Sequence, residues 1–312
     1  MAGLERRLGA SSLWVKRDDI SAVPYGGNKP RKLEFLLGAA KARGACTLIT
    51  FGGLGSNHVL ATAIYGRRHG FRVTAILVPQ PVDDHVRQNL ALVRRYATGV
   101  LYAGGKAGAI GHAVWAWVVA AARDRQLPYL IPPGGSSPVG TLGYVSGGLE
   151  LADQVSRGEL PAPEVVFVAA GSNGTAAGLL LGFRLAGLPS RLVAVRVSDS
   201  LPVSAGAIAR LASDTAALLS ALGVRPSLRF GPADLEVSEG YLGPGYGYPT
   251  SEGNRAVGML AETEGLLLDQ TYTGKTMAAL LDALELADWR SRAVLYWHTY
   301  NSQPVGPLLA MA

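Results

Sequence analysis

Lys29 has the clearest chemical potential in this sequence, because it stands at the start of a predicted helix directly after two glycines and an asparagine. Asn28 fits the N-cap position of that helix and Pro30 fits its first turn. The N-terminus of a helix carries a partial positive charge, which disfavours a lysine ammonium by about 0.3–1 kcal/mol and lowers the pKa of the amine. A lysine of lowered pKa is a nucleophile that can form an imine with a carbonyl group.

A loop rich in glycine and hydroxyl groups could bind an anion. It follows a buried-strand pattern, precedes a helical pattern, and consists of Gly171, Ser172, Asn173, Gly174 and Thr175. Backbone N–H groups, the helix dipole and the hydroxyls would converge on one ligand, for which a phosphate is the best candidate. The spacing differs from the dinucleotide-binding and P-loop fingerprints. Asp199 follows the next predicted strand, where an acid could bind a ribose, so an NAD(P)-dependent oxidoreductase remains an alternative.

Three polar residues and two tyrosines could complete such a site. Ser56, Asn57 and His58 follow another predicted strand and precede a helix, where Ser56 and Asn57 could cap the helix or contact a planar ligand. Tyr246 and Tyr272 lie close to glycines, and a phenol can stack on a ring or exchange a proton. A purely structural role fits both tyrosines as well.

The composition indicates a folded protein that acts on small molecules. Of 312 residues, 48% are hydrophobic and 17% are charged, which predicts a sizeable buried core. The net charge of +6 is spread along the chain without a basic run interleaved with aromatics, so we expect no nucleic-acid partner. No stretch reaches the ~20 consecutive apolar residues of a membrane span, so no membrane partner is expected either.

The cysteine, the histidines and the first residues bear on metal binding and location. Cys46 is the only cysteine, which excludes an internal disulfide, and its apolar neighbours predict a small core residue. The five histidines lack the spacing of metal ligands, so no metal is expected. The first residues lack the apolar core of a signal peptide, and we expect a cytoplasmic protein.

Strand and helix patterns alternate along the chain. The predicted strands are residues 48–51, 73–78, 129–131, 165–170, 192–197 and 293–297. The predicted helices include residues 59–69, 84–96, 111–125, 175–186 and 274–286. The alternation predicts an α/β fold of mostly parallel sheets with helices on both faces.

Several motifs, taken in order, resemble those of the pyridoxal-phosphate enzymes of fold type II, the tryptophan synthase β-like group. The chain is most similar to the branch that contains D-cysteine desulfhydrase and 1-aminocyclopropane-1-carboxylate (ACC) deaminase. The motifs extend from about residue 13 to the C-terminus and include Lys16-Arg17-Asp18-Asp19, residues 26–34, Ser56-Asn57-His58, Gly143-Tyr144, Thr263-Glu264-Gly265 and Tyr272-Thr273-Gly274-Lys275.

The resemblance implies an architecture and a set of ligands. Residues 1–45 plus 156–312 would form a large domain and residues 46–155 a small one, each with three αβα layers. The cofactor, pyridoxal 5′-phosphate, would lie in the cleft between them, the substrate would be a small amino acid, and the enzyme would be a homodimer.

The resemblance also implies residue roles. Lys29 would hold the cofactor as a Schiff base, residues 171–175 would bind its phosphate, and Thr273 would meet its pyridine nitrogen. Asn57 would support the cofactor ring. Catalysis would involve Ser56, Tyr246 and Tyr272 besides Lys29, and substrate contacts would come from Ser56, Asn57, His58 and Tyr246.

The implied reaction is α,β-elimination, which releases a keto acid and ammonia. Thr273 stands where ACC deaminases carry Glu, and a hydroxyl is a weaker partner for the pyridine nitrogen than a carboxylate. His58, in place of Gln, also favours the desulfhydrase side. Opening of a cyclopropane ring, as in ACC deaminase, remains the alternative.

The chain departs from the motifs of its relatives at several positions. Gly55 stands where they usually have Gln, Leu60 where they usually have Arg, and Tyr300-Asn301 where they usually have two glycines. The predicted strand 293–297 should deliver Tyr300 and Asn301 to the C-terminal edge of its sheet, where ligands bind in open α/β folds. We therefore expect Tyr300 or Asn301 in the cleft, and a substrate that the His298–Ser302 loop makes different from D-cysteine.

Overall fold

The computed structural model describes residues 1–224 and 228–310, in which two parallel sheets are found. Residues 225–227 and 311–312 of the predicted large domain lie outside the described residues. The strands are β1 (Leu13–Arg17), β2 (Thr47–Gly53), β3 (Arg72–Val78), β4 (Gly99–Tyr102), β5 (Tyr129–Ile131), β6 (Val165–Ala170), β7 (Arg191–Arg196), β8 (Glu236–Ser238) and β9 (Val294–His298). The large sheet has the order β1-β9-β6-β7-β8 and the small sheet the order β4-β3-β2-β5, with every neighbour parallel. The predicted α/β fold with parallel sheets is confirmed.

Helices cover both faces of each sheet. They are α1 (Ala2–Leu8), α2 (Lys29–Ala42), α3 (Asn57–Arg68), α4 (Asp84–Tyr96), α5 (Lys106–Asp124), α6 (Pro138–Ser156), α7 (Gly174–Ala186), α8 (Ala205–Ala221), α9 (Ser251–Glu264), α10 (Thr273–Glu285), α11 (Ala287–Arg290) and α12 (Gly306–Ala310). No helix in the described part of the chain is both long and apolar enough to cross a membrane.

Each sheet has an apolar core on both faces. In the large sheet, alternate residues of the fully buried strand β6 point to opposite sides: Val166 and Val168 pack towards α6, α7 and α8, whereas Val165 and Phe167 pack towards α1, α9 and α10. The small sheet packs on one face against α2, α3 and α4 and on the other against α5. Because β-strand side chains alternate in direction, a run of apolar residues is what a two-sided core requires.

All six predicted strands are present: residues 129–131 and 165–170 have the predicted bounds, and the other four have ends shifted by one or two residues. Strands β1, β4 and β8 and helix α6 were not among the predicted elements. Helix α6, which was predicted to belong to the small domain, packs against α2 and α7, and α7 covers one face of the large sheet. The domain boundary between residues 155 and 156 stays a prediction.

Cys46 is not the core residue that its apolar neighbours predicted. Its side chain is exposed, in the turn that precedes β2, whereas Ala45 and Thr47 on either side are buried. Strand β2 begins at Thr47, so Cys46 lies just before the strand, and its side chain faces solvent.

The parallel arrangement brings several chemically active loops together. The segments after β2, β3, β6, β7 and β9 all leave their sheets at the C-terminal edge. These segments carry Ser56-Asn57, the glycine-rich loop at 171–175 and Tyr300, and open α/β sheets bind ligands at this edge.

Candidate active site

A cavity of about 460 Å³ lies between the two sheets, at the C-terminal ends of their strands. Its walls include nearly all the residues predicted for the site: Lys29, Ser56, Asn57, His58, Gly171, Ser172, Asn173, Thr175, Tyr246, Tyr272 and Tyr300. Gly174 and Thr273 were predicted as well but lie next to the cavity rather than in its wall. The cavity is thus assembled from segments that lie far apart in the sequence.

Lys29 is the first residue of α2, as predicted, and its environment disfavours the charged amine. Removal from water lowers the pKa of Lys29 from 10.5 to about 8, although the carboxylate of Asp269 acts in the opposite direction. Asn28 occupies the N-cap position, but its side chain does not cap the helix. The amide of Asn28 instead donates to Thr175 Oγ1 at 3.2 Å, which ties the lysine loop to the glycine-rich loop.

The two glycines before Lys29 are required by the backbone. Gly27 has φ +84°, a left-handed conformation that residues with a side chain rarely adopt. A Cβ atom on Gly26 would lie 2.2 Å from the carbonyl oxygen of Asp19. These constraints hold the turn in the shape that aims Lys29 at the cavity.

A buried carboxylate anchors the first turn of α2. Asp18 accepts hydrogen bonds from Arg31 at 2.8 and 3.0 Å, from the Tyr144 hydroxyl at 2.6 Å and from Trp297 Nε1 at 2.7 Å. Arg31 lies two residues after Lys29, so the network joins the lysine turn to α6 and β9. Leaving a buried charge of this kind unpaired costs several kcal/mol, which explains its four donors.

The glycine-rich loop presents donors at the start of α7. Asn173 adopts the left-handed region at φ 68°, and its amide donates to the carbonyl of Pro202 at 2.9 Å. The Gly174 N–H donates to Ser136 Oγ at 3.2 Å, and that hydroxyl donates to Ser172 Oγ at 2.9 Å. A Cβ on Gly174 would lie 2.8 Å from Lys32 Nζ, so the loop needs a glycine beside this lysine.

Lys32 was not predicted as a site residue. Its side chain is only 1% exposed, and Nζ donates to the carbonyl of Gly134 at 3.1 Å and to Ser136 Oγ at 3.4 Å, both uncharged. Burial and the nearby charge of Lys29 hold the pKa of Lys32 well below its usual value. Because burial disfavours the charged amine, an anion bound beside this helix N-terminus would stabilise the protonated form of Lys32. Its position three residues after Lys29, on the same side of the helix, was the available signal.

Asn57 is held in one orientation by three neighbours. Its Oδ1 accepts hydrogen bonds from the Tyr25 hydroxyl at 3.0 Å, from Asn89 Nδ2 at 2.8 Å and from His85 Nε2 at 3.3 Å. The second hydrogen of the Asn89 amide goes to the carbonyl of Gly55, so His85 carries its proton on Nε2 in this network. The Asn57 oxygen is fully used, which leaves its NH₂ group to donate to a ligand.

Ser56 and His58 flank Asn57 and behave differently. Ser56 caps α3, because its Oγ accepts the Val59 N–H at 3.3 Å, and its own hydrogen stays free to donate. His58 is 3% exposed, and its Nε2 pairs with Thr50 Oγ1 at 3.2 Å. Burial and the charges of Lys29 and Lys32 lower the pKa of His58 well below its usual value, so the ring is neutral.

The two predicted tyrosines meet in the cavity wall. The Tyr272 hydroxyl donates to the Tyr246 hydroxyl at 2.7 Å, and the rings pack edge to face. Burial raises the pKa of both phenols, and the carboxylate of Asp269 adds to this effect. Asp199, the ribose-binding acid of the nicotinamide alternative, instead accepts the Tyr246 N–H at 3.1 Å and so positions this loop.

Asp269 is the second site residue that the sequence did not reveal. It lines the cavity and accepts the N–H groups of Thr271, Tyr272 and Thr273 at 2.8–3.0 Å, at the start of α10. The Thr273 hydroxyl donates to the same carboxylate at 2.5 Å. The contact between Thr273 and a pyridine nitrogen stays a prediction.

Tyr300 and Asn301 have separate roles. Tyr300 lines the cavity, and its hydroxyl lies 3.5 Å from His85 Nδ1, the other nitrogen of the ring that holds Asn57. Asn301 Oδ1 accepts the Gly26 N–H at 2.6 Å and the Gln303 N–H at 3.1 Å. Asn301 therefore supports the glycine turn before Lys29 from behind.

This division predicts different outcomes for two single substitutions. Tyr300→Gly should change the ranking of kcat/KM within a panel of β-substituted amino acids, because a wall residue affects transition states of different shape unequally. Asn301→Gly should lower the free energy of unfolding by about 1–3 kcal/mol, because the buried Gly26 N–H loses its acceptor. Steady-state kinetics and urea unfolding measure the two effects. An unchanged ranking in Tyr300→Gly would show that this side chain is structural.

Comparison with known proteins identifies the family. Residues 1–299 match the family described as pyridoxal-phosphate dependent enzyme. The nocardicin C-9′ epimerase of Nocardia uniformis subsp. tsuyamanensis is 38% identical over 306 residues, which cover 94% of this chain and 87% of that protein. The D-cysteine desulfhydrase of Yersinia enterocolitica is 38% identical over 293 residues, which cover 92% and 86%.

A solved structure agrees with these matches. The crystal structure of an ACC deaminase homologue superposes with a TM-score of 0.82 at 30% identity and covers 100% of this chain and 92% of that chain. The family match decides against the nicotinamide alternative. The chain belongs to the pyridoxal-phosphate-dependent enzymes of fold type II, and its cofactor is pyridoxal 5′-phosphate.

Proposed function

We propose that this protein is a lyase that catalyses α,β-elimination from a small β-substituted amino acid and releases a keto acid and ammonia. The observation that carries the proposal is that Lys29, with a pKa lowered to about 8, shares one cavity with Ser56 and the Tyr246–Tyr272 pair. The similarity to D-cysteine desulfhydrases over more than nine-tenths of the chain supports the same reaction class.

The residues around the cavity fit pyridoxal phosphate. Lys29 is an amine of lowered pKa in the cavity wall, and Lys32 is a buried amine with no carboxylate partner among the described residues, so a bound phosphate would stabilise its protonated form. The glycine-rich loop at the start of α7 offers N–H and hydroxyl donors for a phosphate next to Lys32. When bound, the cofactor supplies a conjugated ring that accepts the electrons released when the Cα–H bond breaks.

The protein groups would handle the protons of the reaction. In our proposal the Lys29 amine would also be the base that removes the Cα proton of the substrate. The free hydrogen of Ser56 Oγ would orient the substrate carboxylate. The Tyr246 and Tyr272 phenols stay protonated at neutral pH because their pKa values are raised, and since Tyr272 donates its hydrogen to Tyr246, the Tyr246 hydroxyl is the one free to donate a proton to the leaving group.

Thr273 would act together with Asp269. The Thr273 hydroxyl gives its hydrogen to the carboxylate and its oxygen accepts the backbone N–H of Asp269, so a lone pair remains to accept one further hydrogen bond. ACC deaminases carry a Glu at this position, which would place a charge directly beside the ring. The absence of that charge favours elimination over ring opening in our proposal.

The proposal predicts that D-cysteine is a better substrate than ACC. We expect kcat/KM for D-cysteine to exceed that for ACC by at least about tenfold, which corresponds to about 1.4 kcal/mol of transition-state free energy. Keto acid and ammonia release measure both reactions, and L-cysteine gives the preferred enantiomer. Faster turnover of ACC would contradict the proposal. Chiral chromatography of recovered substrate tests epimerisation, the activity in the name of the Nocardia relative.

We also propose that the enzyme acts as a cytoplasmic homodimer. The outward face of α5 and the segment after it expose apolar side chains to 40–64%, namely Val114, Trp115, Trp117, Val118, Val119, Leu127 and Leu130. At ~200 Å² per large side chain they offer about 700 Å², close to the ~800 Å² that each partner buries in a stable complex. The exposed thiol of Cys46 suits a reducing compartment. Sedimentation equilibrium measures the mass, and a monomer would contradict the dimer.

A further inference from the structure

One wall of the cavity is apolar and belongs to the small sheet. It is formed where β2 and β3 end and α5 begins, by Phe51, Gly52, Val78, Pro79, Ala109 and Ile110. Phe51, Val78 and Ala109 are partly buried and pack on the core between the small sheet and α5, so the wall is backed by rigid structure. We refer to these six residues as the apolar wall.

The apolar wall lies on the substrate side of the cavity. The phosphate-type loop comes from the large sheet, whereas the wall comes from the opposite, small sheet. The Ser56 N–H donates to the carbonyl of Gly53 at 3.0 Å, so the wall is only a few residues from Ser56 and Asn57. A group bound against the wall would therefore extend from the amino-acid end of the ligand.

Ile110 shows that the wall is not fully covered by the protein. It lines the cavity, yet it is 67% exposed. When a ligand covers an apolar side chain at the mouth of a cavity, the binding free energy becomes more favourable by roughly 25 cal/mol per Å² of apolar area removed from water. The cavity of about 460 Å³ also falls within the ~300–1,000 Å³ of pockets that enclose drug-sized ligands. Lys106 lines the same end and disfavours a cationic substituent there.

We propose that the apolar wall is a subsite for an extended, uncharged alkyl or aryl substituent on the β-carbon of the substrate. The inference rests on the proposed elimination and names the substrate class: S- or O-substituted amino acids rather than free cysteine. With S-benzyl-D-cysteine, the Cα–H and Cβ–S bonds break, sulfur leaves with the bonding electron pair and is protonated to the thiol. One water then converts the remaining three-carbon unit to pyruvate and ammonium.

The kinetic test compares S-benzyl-D-cysteine with D-cysteine through pyruvate release. We expect kcat/KM for the benzyl substrate to be about tenfold higher in the wild type. Ile110→Asp should lower the ratio of the two values by about tenfold or more, because its carboxylate would have to be desolvated against the benzyl group. Ile110→Leu should keep the ratio. Leu286→Asp, which changes an aliphatic side chain of similar exposure (60%) after α10, is the matched control and should not alter it.

A binding measurement separates the subsite from the reaction. 2-Amino-5-phenylpentanoate, in which a CH₂ group replaces the sulfur, has no leaving group, and its dissociation constant follows from the change in cofactor absorption. We expect it to bind at least tenfold more tightly than D-alanine, and Ile110→Asp to remove that advantage. Equal binding of the two ligands, or a ratio that Ile110→Asp leaves unchanged, would overturn the subsite. Turnover of D-cysteine tests the elimination itself, so the two proposals can fail separately.

Discussion

Lys29→Ala is expected to lower kcat/KM by on the order of 10⁴–10⁶-fold, the loss seen when an enzyme is deprived of its covalent nucleophile. In our proposal Lys29 both binds the cofactor covalently and removes the Cα proton, so one substitution removes two functions. The fold should survive, because the side chain of Lys29 faces the cavity while Arg31 and the Asp18 network hold the first turn of α2.

The covalent link can be measured without turnover. Borohydride reduction of the holoenzyme followed by peptide mass spectrometry should place the cofactor on Lys29 and nowhere else. Lys41→Ala, which changes an exposed lysine near the end of the same helix, is the matched control and should retain both the adduct and the activity. An adduct on another lysine of the wild type would refute the assignment.

The lowered pKa of Lys29 gives this prediction a pH signature. Below pH 8 the amine is mostly protonated and cannot attack a carbonyl, so the rate at which the apoenzyme captures pyridoxal phosphate should rise with pH and level off above about 8. An ordinary lysine would keep gaining reactivity up to its usual pKa of 10.5. A rate that still climbs steeply between pH 9 and 10.5 would contradict the shift.

The lowered pKa of Lys29 also determines how the stability of the apoenzyme changes with pH. Between pH 8 and 10.5 the unfolded chain holds a proton on Lys29 that the folded apoenzyme has released. The contribution of this lysine to the free energy of unfolding therefore becomes more favourable as the pH rises through that window. The difference between the wild-type and Lys29→Met apoenzymes in urea unfolding isolates the contribution.

The parts of the site that could be predicted are those encoded locally. A small-residue loop at the start of a helix is visible within about fifteen residues of sequence, which is why Lys29 was found, and a predicted strand before such a loop also marked Ser56 and the loop at 171–175. Strand β8 has three residues, and β4 has four with a glycine, too short to show a period. Helix α6 contains four glycines, a residue type typical of loops, and only its tertiary packing shows that the segment is helical.

The parts that could not be predicted depend on contacts between distant segments. The role of Lys32 rests on Gly134 and Ser136, more than a hundred residues away, and Tyr300 is separated by 215 residues from His85, which contacts Asn57. Asp269 reads as a loop acid until the helix that it caps is placed beside the cavity. Side-chain roles of this kind require the topology of both sheets, which no local pattern contains.

Lys32→Met should have the second largest effect, and it acts on the cofactor phosphate. The amine of Lys32 is buried next to the Gly174 N–H and Ser136, so an anion bound there would stabilise its protonated form and accept a charge-assisted hydrogen bond out of water. Removing one partner of such a pair costs about 2–5 kcal/mol. We therefore expect the dissociation constant for pyridoxal phosphate to rise by roughly 30- to 4,000-fold.

A comparison with pyridoxal, which lacks the phosphate, tests whether the loss of affinity comes from the contact between Lys32 and the phosphate. Lys32→Met should weaken the binding of pyridoxal phosphate far more than the binding of pyridoxal, so that the apoenzyme binds the two ligands with similar affinity. The unliganded variant should be at least as stable as the wild-type apoenzyme in urea, because methionine occupies the buried position without the cost of removing an amine from water. A substitution that weakened both ligands equally would mean that Lys32 supports Lys29 or the fold rather than the phosphate. An undiminished free energy of unfolding of the apoenzyme together with a raised dissociation constant for pyridoxal phosphate is what we expect of a lysine whose role is to bind the phosphate.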